Sequence, residues 1–386
     1  MKKYNLLLPI AGKAQRFLDA GYRMPKPLIL ANHKHVIDWA LDSIKTDECN
    51  LIFIVRLDHI LTYSIDKILK QKFGDDITIV VLDHITKGAL ETCVLAEKYM
   101  KDSHLPLLIY TPDVYFEPQF DPNSIESSSD GFLLTFKANS PDHSYCSYDE
   151  NGNVKSVAEK EVISEQANVG VYYYKSSDLF LKYAKQALSN NYGIVNNEFY
   201  IAPMYNLMIK DGLRVTYKET PKMHVLGTPK TFEFFCDKVT RFFGESPIAL
   251  AADHSGYEAK EIMKNVLTEQ QIGHIDVGTY VSKSCDYFDY VSQSVSLINS
   301  NKCDYGISFC RSGQGMNIAA NKHDGIISAL VFDEWTAEMA RRHNCANHFA
   351  IPGKYITESQ MIKIVEVLKN STFDGGRHFT RIDKFI

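Results

Sequence analysis

The stretch Tyr305–Lys322, YGISFCRSGQGMNIAANK, decides the fold. Its first residues are an apolar run that ends in Cys310, a glycine-containing turn follows, and helical periodicity begins at Gln314. Strand, tight turn and helix in that order make the repeating unit of a parallel α/β sheet. The same alternation continues on both sides. IALAA (248–252), HIDVG (274–278), ISALVF (327–332) and HFAIP (348–352) read as strands. Between and after them, helices are predicted near Glu258–Gln270, Asp289–Asn299, Gln314–Lys322, Asp333–His343 and Glu358–Asn370. Thr357 with Gln360 forms a capping box, and Asp333 is placed to cap the helix that follows it. These five strands predict a doubly wound, five-stranded parallel sheet over residues 247–386.

Upstream, Phe242-Phe243-Gly244-Glu245-Ser246-Pro247 punctuates the chain, and residues 1–243 form a second domain with a different texture. Strands at Leu6–Ile10, Leu51–Val55, Ile77–Leu82 and Leu107–Tyr110 alternate with helical stretches. After Gly131 come FLLTFKA, a Glu150-Asn151-Gly152 turn and NVGVYYYK. The Asn-Gly pair marks a hairpin, so antiparallel strands join a parallel core in a mixed sheet. Helices follow at about Ser177–Leu188 and Phe199–Lys210. The fold class is α/β, with two doubly wound, Rossmann-like domains.

Composition narrows the function. The 386 residues carry 42 Lys+Arg and 47 Asp+Glu for a net charge of −5, with 45% apolar residues. That balance argues for a soluble globular protein and against a nucleic-acid coat, and it leaves small anionic substrates open. Eight cysteines without a C-x-x-C pair or zinc spacing fit a reduced, cytoplasmic setting. The apolar run near the N-terminus is broken by Pro9, Gly12 and Lys13 and is too short to span a bilayer, so no membrane partner is expected.

Two loops carry chemistry. In PIAGKAQRFLDAGYRMPKPLIL (9–30), the amides around Gly12 can meet phosphate oxygens, and Lys13, Arg16 and Lys26 supply positive charge. The spacing is neither a P-loop nor G-x-G-x-x-G. In the second loop, Cys310 lies at a predicted C-terminal strand end, where such sheets place ligands. The amides of Gly313, Gln314 and Gly315 can stabilise an oxyanion beside it. The other seven cysteines read as small buried residues.

Residues 9–30 resemble the signature of the sugar-phosphate nucleotidylyltransferases, G-x-G-x-R followed by P-K-P, and further matches run to about residue 240. They are LLIYTPDVYF (107–116), VKSVAEK (154–160), ANVGVYYY (167–174), NNEFY (196–200) and LGTP (226–229). The resemblance implies transfer of a nucleotidyl group from an NTP to a sugar phosphate, with Mg²⁺ as cofactor. By that likeness Arg16 holds the triphosphate, Lys26 the α-phosphate and Asp113 the Mg²⁺, while Glu159, Lys160 and Glu198 contact the sugar phosphate. Two positions depart from the pattern. Ala14 stands for a glycine, so a different loop conformation is expected, and His224-Val225-Leu226-Gly227-Thr228 lacks the second metal-binding aspartate.

From Ile248 to Phe385 the chain resembles ribose-5-phosphate isomerase B and the related lactose-pathway sugar-phosphate isomerases. The matches run from ALAADHSGYEAKE through CDYFDY, CRSGQGMNIAANK and ARRHNCAN to FDGGRHFTRIDK. This implies aldose-ketose isomerisation through an enediolate, without a cofactor. Cys310 matches the base, and Ser312 stands where a threonine polarises the sugar. Asp253 and His254 match residues beside the ring and phosphate, and Asp286 and Tyr287 a substrate-lining pair. His343, next to Asn344, matches the residue that opens the furanose ring. Arg377 and Arg381, four apart and so on one face of a helix, match a phosphate clamp. The resemblance also implies a homodimer whose sites are built from two subunits. Arg311 replaces a glycine and Phe288 a proline. The sequence is thus read as a bifunctional sugar-phosphate enzyme, plausibly supplying nucleotide sugars for surface polysaccharide. The alternative is an isomerase with a non-catalytic N-terminal binding or regulatory module.

Overall fold

In a computed structural model, residues 2–31, 34–100, 102–239 and 242–382 are described. Contacts divide the chain into two compact units. One comprises Met1–Ala20, Pro25–Ile29 and His35–Phe232, and the other Gly21–Met24, Leu30–Lys34 and Glu233–Ile386.

The first unit is built on a nine-stranded mixed sheet. Its strands are β1 (Tyr4–Pro9), β2 (Cys49–Arg56), β3 (Thr78–Leu82), β4 (Leu107–Tyr110), β5 (Gly131–Lys137), β6 (Ser144–Tyr148), β7 (Val154–Glu159), β8 (Gln166–Tyr174) and β9 (Val215–Glu219). The order is β7-β6-β8-β4-β1-β2-β3, with β5 on β8 and β9 on β5. The strands β4, β1, β2 and β3 run parallel, and β8 enters antiparallel to β4. The expected hairpin is β6-β7, and Asp149 Oδ1 accepts the amides of Asn151 and Asn153 to fix its turn, both at 2.9 Å. Parallel strands buried on both faces need unbroken apolar runs, and Leu6, Leu7, Leu8, Ile52, Phe53 and Ile54 are fully buried.

One expected helix is shorter than its sequence suggests. Glu198–Phe199 pairs with Ile194–Val195, Ala202–Met204 is a single 3₁₀ turn, and the α-helix covers only Tyr205–Lys210. Pro203 has no amide to donate, which confines it to the opening turn.

The second unit is a five-stranded, all-parallel sheet of β10 (Ile248–Ala252), β11 (His274–Asp276), β12 (Tyr305–Cys310), β13 (Ser328–Leu330) and β14 (His348–Pro352), in the order β11-β10-β12-β14-β13. Helices Tyr257–Glu269, Tyr287–Asn299, Gln314–Ala320, Glu334–Arg342 and Glu358–Asn370 connect or follow the strands. Both expected caps form: Thr357 Oγ1 accepts from Gln360 N, and Asp333 Oδ1 from Thr336 N at 2.7 Å. Phe243 packs edge-on against Phe349 and tilted against Tyr305, within the core of this unit. Among the described residues no helix is long and apolar enough to cross a membrane.

Candidate active sites

In the second unit β10 and β12 are parallel neighbours, so the loops after their C-terminal ends leave the sheet side by side. Cys310 is the buried last residue of β12 and a free thiol. Asp253 follows β10 directly, and its amide donates to Phe309 O at 3.2 Å. Its Oδ1 accepts the amides of Ser255 and Gly256, both at 2.9 Å, so this buried carboxylate also shapes its own loop. Gly313 adopts φ +74°, and a Cβ there would fall 2.6 Å from Leu330 Cδ1, so only glycine makes the turn without strain. At Gly315 the ring of Tyr287 lies 3.2 Å from where a Cβ would stand, which brings Tyr287 over the Cys310 turn. Arg311 and Ser312, which follow Cys310, are exposed.

His254 is oriented by a residue the sequence reading passed over. Cys285 donates its amide to His254 Nδ1 at 3.2 Å, with its sulfur at 3.9 Å. An accepting Nδ1 places the proton of neutral His254 on Nε2. The exposed Asp286 caps the next helix through Phe288 N at 2.9 Å.

His343, Asn344, Arg377 and Arg381 are elsewhere. His343 caps the C-terminus of helix Glu334–Arg342, five residues before β14 begins. Arg341, two residues earlier, is buried with its guanidinium 4.5 Å above the ring of Tyr305, the first residue of β12. His343 therefore sits at the end of the sheet where strands start, and Cys310 where they finish. Around His343 are Asp374, whose Oδ2 lies 3.7 Å from Nε2, and His378, stacked at 4.3 Å. Arg377 and Arg381 are exposed but do not share one helix: Gly376–His378 is a 3₁₀ turn and Phe379–Ile382 a separate short helix. Asp383 and Lys384, at the end of the quoted motif, lie outside the described residues.

In the first unit, β1 and β4 are parallel neighbours, so the loops after Pro9 and Tyr110 leave the sheet side by side. Gly12 and Lys13 are exposed on the first loop, and Arg16 is exposed on the short helix Gln15–Asp19 that follows it. Ala14 takes φ 50°, ψ 41°, the left-handed conformation a glycine adopts freely and an L-residue at a cost of about 1–2 kcal/mol. Asp113, on the second loop, is ion-paired with the nearly buried Lys26. Asp113 O accepts Leu226 N at 2.7 Å, and Val225 pairs with Val114. The run His224–Thr228 thus lies beside Asp113 and brings no carboxylate. Asp113 itself is half-exposed, and one carboxylate with substrate oxygens and water is a donor set that suits Mg²⁺.

Farther along this unit, Lys160 Nζ donates to Tyr200 OH at 2.7 Å, and Tyr200 OH donates to Glu198 Oε2 at 3.0 Å. Tyr200, the last residue of the NNEFY run and assigned no role there, thereby joins two residues expected at the sugar phosphate. Burial pushes the Glu159 carboxyl up to about 7, against the opposing pull of Lys160.

Residues 248–385 match the ribose/galactose isomerase family, and residues 7–199 the nucleotidyl transferase family. The probable ribose-5-phosphate isomerase B of Mycoplasma genitalium is 39% identical over 142 residues, which is 36% of this chain and 93% of that protein. A putative sugar phosphate isomerase of Bacillus subtilis is 38% identical over 138 residues, again 36% of this chain and 93% of that one. The fold of the first unit is that of a nucleoside-diphosphate-sugar pyrophosphorylase from Vibrio cholerae, at TM-score 0.54 and 24% identity over 60% of this chain and 99% of that one. The sheet orders, the cysteine at a strand end and these matches agree: the chain belongs to the nucleotidyl transferase family through its first unit and to the ribose/galactose isomerase family through its second.

Proposed function

We infer that the chain is a bifunctional enzyme, with residues 247–386 isomerising a phosphorylated sugar and residues 1–243 transferring a nucleotidyl group from an NTP to a sugar phosphate. Cys310 at the end of β12, Asp253 and His254 just after the neighbouring β10, and Tyr287 beside Gly315 support the first activity most directly. The names its isomerase relatives carry point to a pentose 5-phosphate pair.

Cys310 takes the proton from one carbon and returns it to the next, while Ser312 and the amides of Gly313 and Gly315 hold the oxygen that becomes negative. Asp253, His254, Asp286 and Tyr287 line the sugar. His343, with Asn344 beside it, opens the ring, and Arg377 and Arg381 clamp the phosphate. Those four belong to the other end of the sheet, so a working site takes them from a second copy of the chain.

In the first unit Lys13 and Arg16 bind the triphosphate, Lys26 the α-phosphate, and Lys160 and Glu198, joined by Tyr200, the acceptor sugar phosphate with Glu159. Asp113 would hold Mg²⁺, which neutralises charge on the phosphates when bound. Such a product suits nucleotide-sugar supply for surface polysaccharide. The lone carboxylate and its pairing with Lys26 favour one further reading, an isomerase whose first unit only binds nucleotide or sugar phosphate. Isomerisation and pyrophosphate release, measured on purified protein over one panel of sugar phosphates and NTPs, separate the two. Isomerisation without pyrophosphate selects the binding module, and neither activity rejects both.

A further inference from the structure

The side chains around His343 form a connected series. Arg342 is steadied from its own helix by Glu338, Nη1 to Oε1 at 2.7 Å. It lays its fork on Asp374, Nε to Oδ1 at 3.0 Å and Nη2 to Oδ2 at 3.1 Å. The Asp374 amide donates back to Arg342 O at 2.9 Å, so backbone and carboxylate are both fixed. Arg342 holds the Asp374 carboxyl below the usual range, so it stays ionised. The same Oδ2 lies 3.7 Å from His343 Nε2, longer than a hydrogen bond and within ion-pair range. The His378 ring is parallel to that of His343 within 9°. Burial, and then repulsion from neighbouring His343, Arg377 and Arg381, lower the pKa of His378 against the pull of Asp374 and favour its neutral form.

Potential ligand atoms of His343, Asp374 and His378 lie within 4.8 Å of one another. The in-plane lone pairs of parallel rings do not converge on one ion, however, and Asp374 is already held by Arg342. This arrangement serves a charged imidazole better than a cation.

We propose that Asp374 is the positioning residue for His343: it orients the imidazole through Nε2, leaves Nδ1 for the sugar and stabilises the imidazolium. The assignment rests on His343 as the ring-opening residue. In that step the bond from C1 to the ring oxygen breaks, and the ring oxygen takes the proton from His343 Nδ1. The C1 hydroxyl loses its proton to water, leaving the open-chain aldehyde, and His343 is later reprotonated by water. Arg342 acts one contact farther out by fixing the carboxylate.

Full-length Asp374→Asn, Asp374→Glu and His343→Gln are assayed with ribose 5-phosphate and ribulose 5-phosphate. The ketose has no free hydroxyl placed to close a five- or six-membered ring, so its conversion needs no ring opening. For Asp374→Asn, conversion of ribose 5-phosphate falls at least ~10-fold and stops rising in proportion to enzyme, because spontaneous ring opening then supplies the aldehyde. Ribulose 5-phosphate conversion stays within about 3-fold of wild type and scales with enzyme, and Asp374→Glu restores most of the aldose rate. Should Asp374→Asn not fold, Arg342→Gln carries the same one-sided loss at reduced size. Equal loss on both sugars, or no loss on the aldose while His343→Gln shows it, overturns the role of Asp374. If His343→Gln converts both sugars in proportion to enzyme, ring opening by His343 itself is wrong.

Discussion

Cys310 and His343 stand at opposite ends of one parallel sheet. Cys310 closes β12, whereas His343 follows a helix whose Arg341 covers Tyr305 at the start of the same strand. Five residue steps at ~3.3 Å put about 16 Å between those two levels. For both to act on one sugar, as proposed, the site takes them from two copies of the chain. Cys310→Ala and His343→Gln homodimers should each lose isomerisation, and chains mixed at random should regain about a quarter of wild-type activity, since half the dimers carry one intact site. Mass spectrometry verifies the mixed dimer. A verified mixed dimer with no recovered activity, or a fully active monomer by light scattering, would sink the two-copy site.

The Lys26-Asp113 pair opposes two demands on one carboxylate. Asp113→Asn should lower Mg²⁺-dependent pyrophosphate release by ~10²-fold or more while leaving NTP binding in EDTA intact. Lys26→Gln should weaken NTP binding with or without Mg²⁺. Pyrophosphate release and calorimetric titration read the two effects, and turnover unaffected by Asp113→Asn would remove the metal assignment.

Glu159 makes stability pH-dependent. Its carboxyl titrates near 7 in the folded protein and near 4.5 when unfolded, so between those values the folded state binds the extra proton. Stability contributed below about pH 4.5 is therefore lost as pH rises through 7. Glu159→Gln should remove this component, and its Tm should gain on wild type by a few degrees between pH 5 and pH 8. Parallel Tm curves for the two proteins would show that Glu159 titrates normally.

Arg311 is exposed and follows Cys310 directly, at the position where the resemblance implies a glycine. A guanidinium there offers a further anion contact to the substrate. Arg311→Gly should change the ratio of kcat/KM between pentose and hexose phosphates by at least ~3-fold. An unchanged ratio would leave Arg311 without a role in substrate choice.

Much of this was legible in sequence where local chemistry sufficed. The runs IALAA and HFAIP become β10 and β14 residue for residue, because fully buried parallel strands leave no room for polar interruption. The Thr357 box marks its helix start for the same local reason. Contacts made across the fold were not legible. Nothing near Tyr200 in the sequence tells that its hydroxyl lies between Lys160 and Glu198, and Asp374 lies 31 positions from His343. At Ala14 the sequence suggested a changed loop. The residue takes a left-handed conformation, which the sequence did not indicate. The separation of Cys310 from His343 follows from chain direction: a helix returning between parallel strands ends where the next strand begins.

The carboxylate missing from His224–Thr228 has a kinetic consequence. With Asp113 alone against Lys13, Arg16 and Lys26, the loops of the first unit carry a surplus of positive charge. For the roles proposed, that surplus favours capture of a triphosphate and equally retards escape of what is left after transfer. Where departure of pyrophosphate limits turnover, raising ionic strength would quicken it although it ordinarily slows binding.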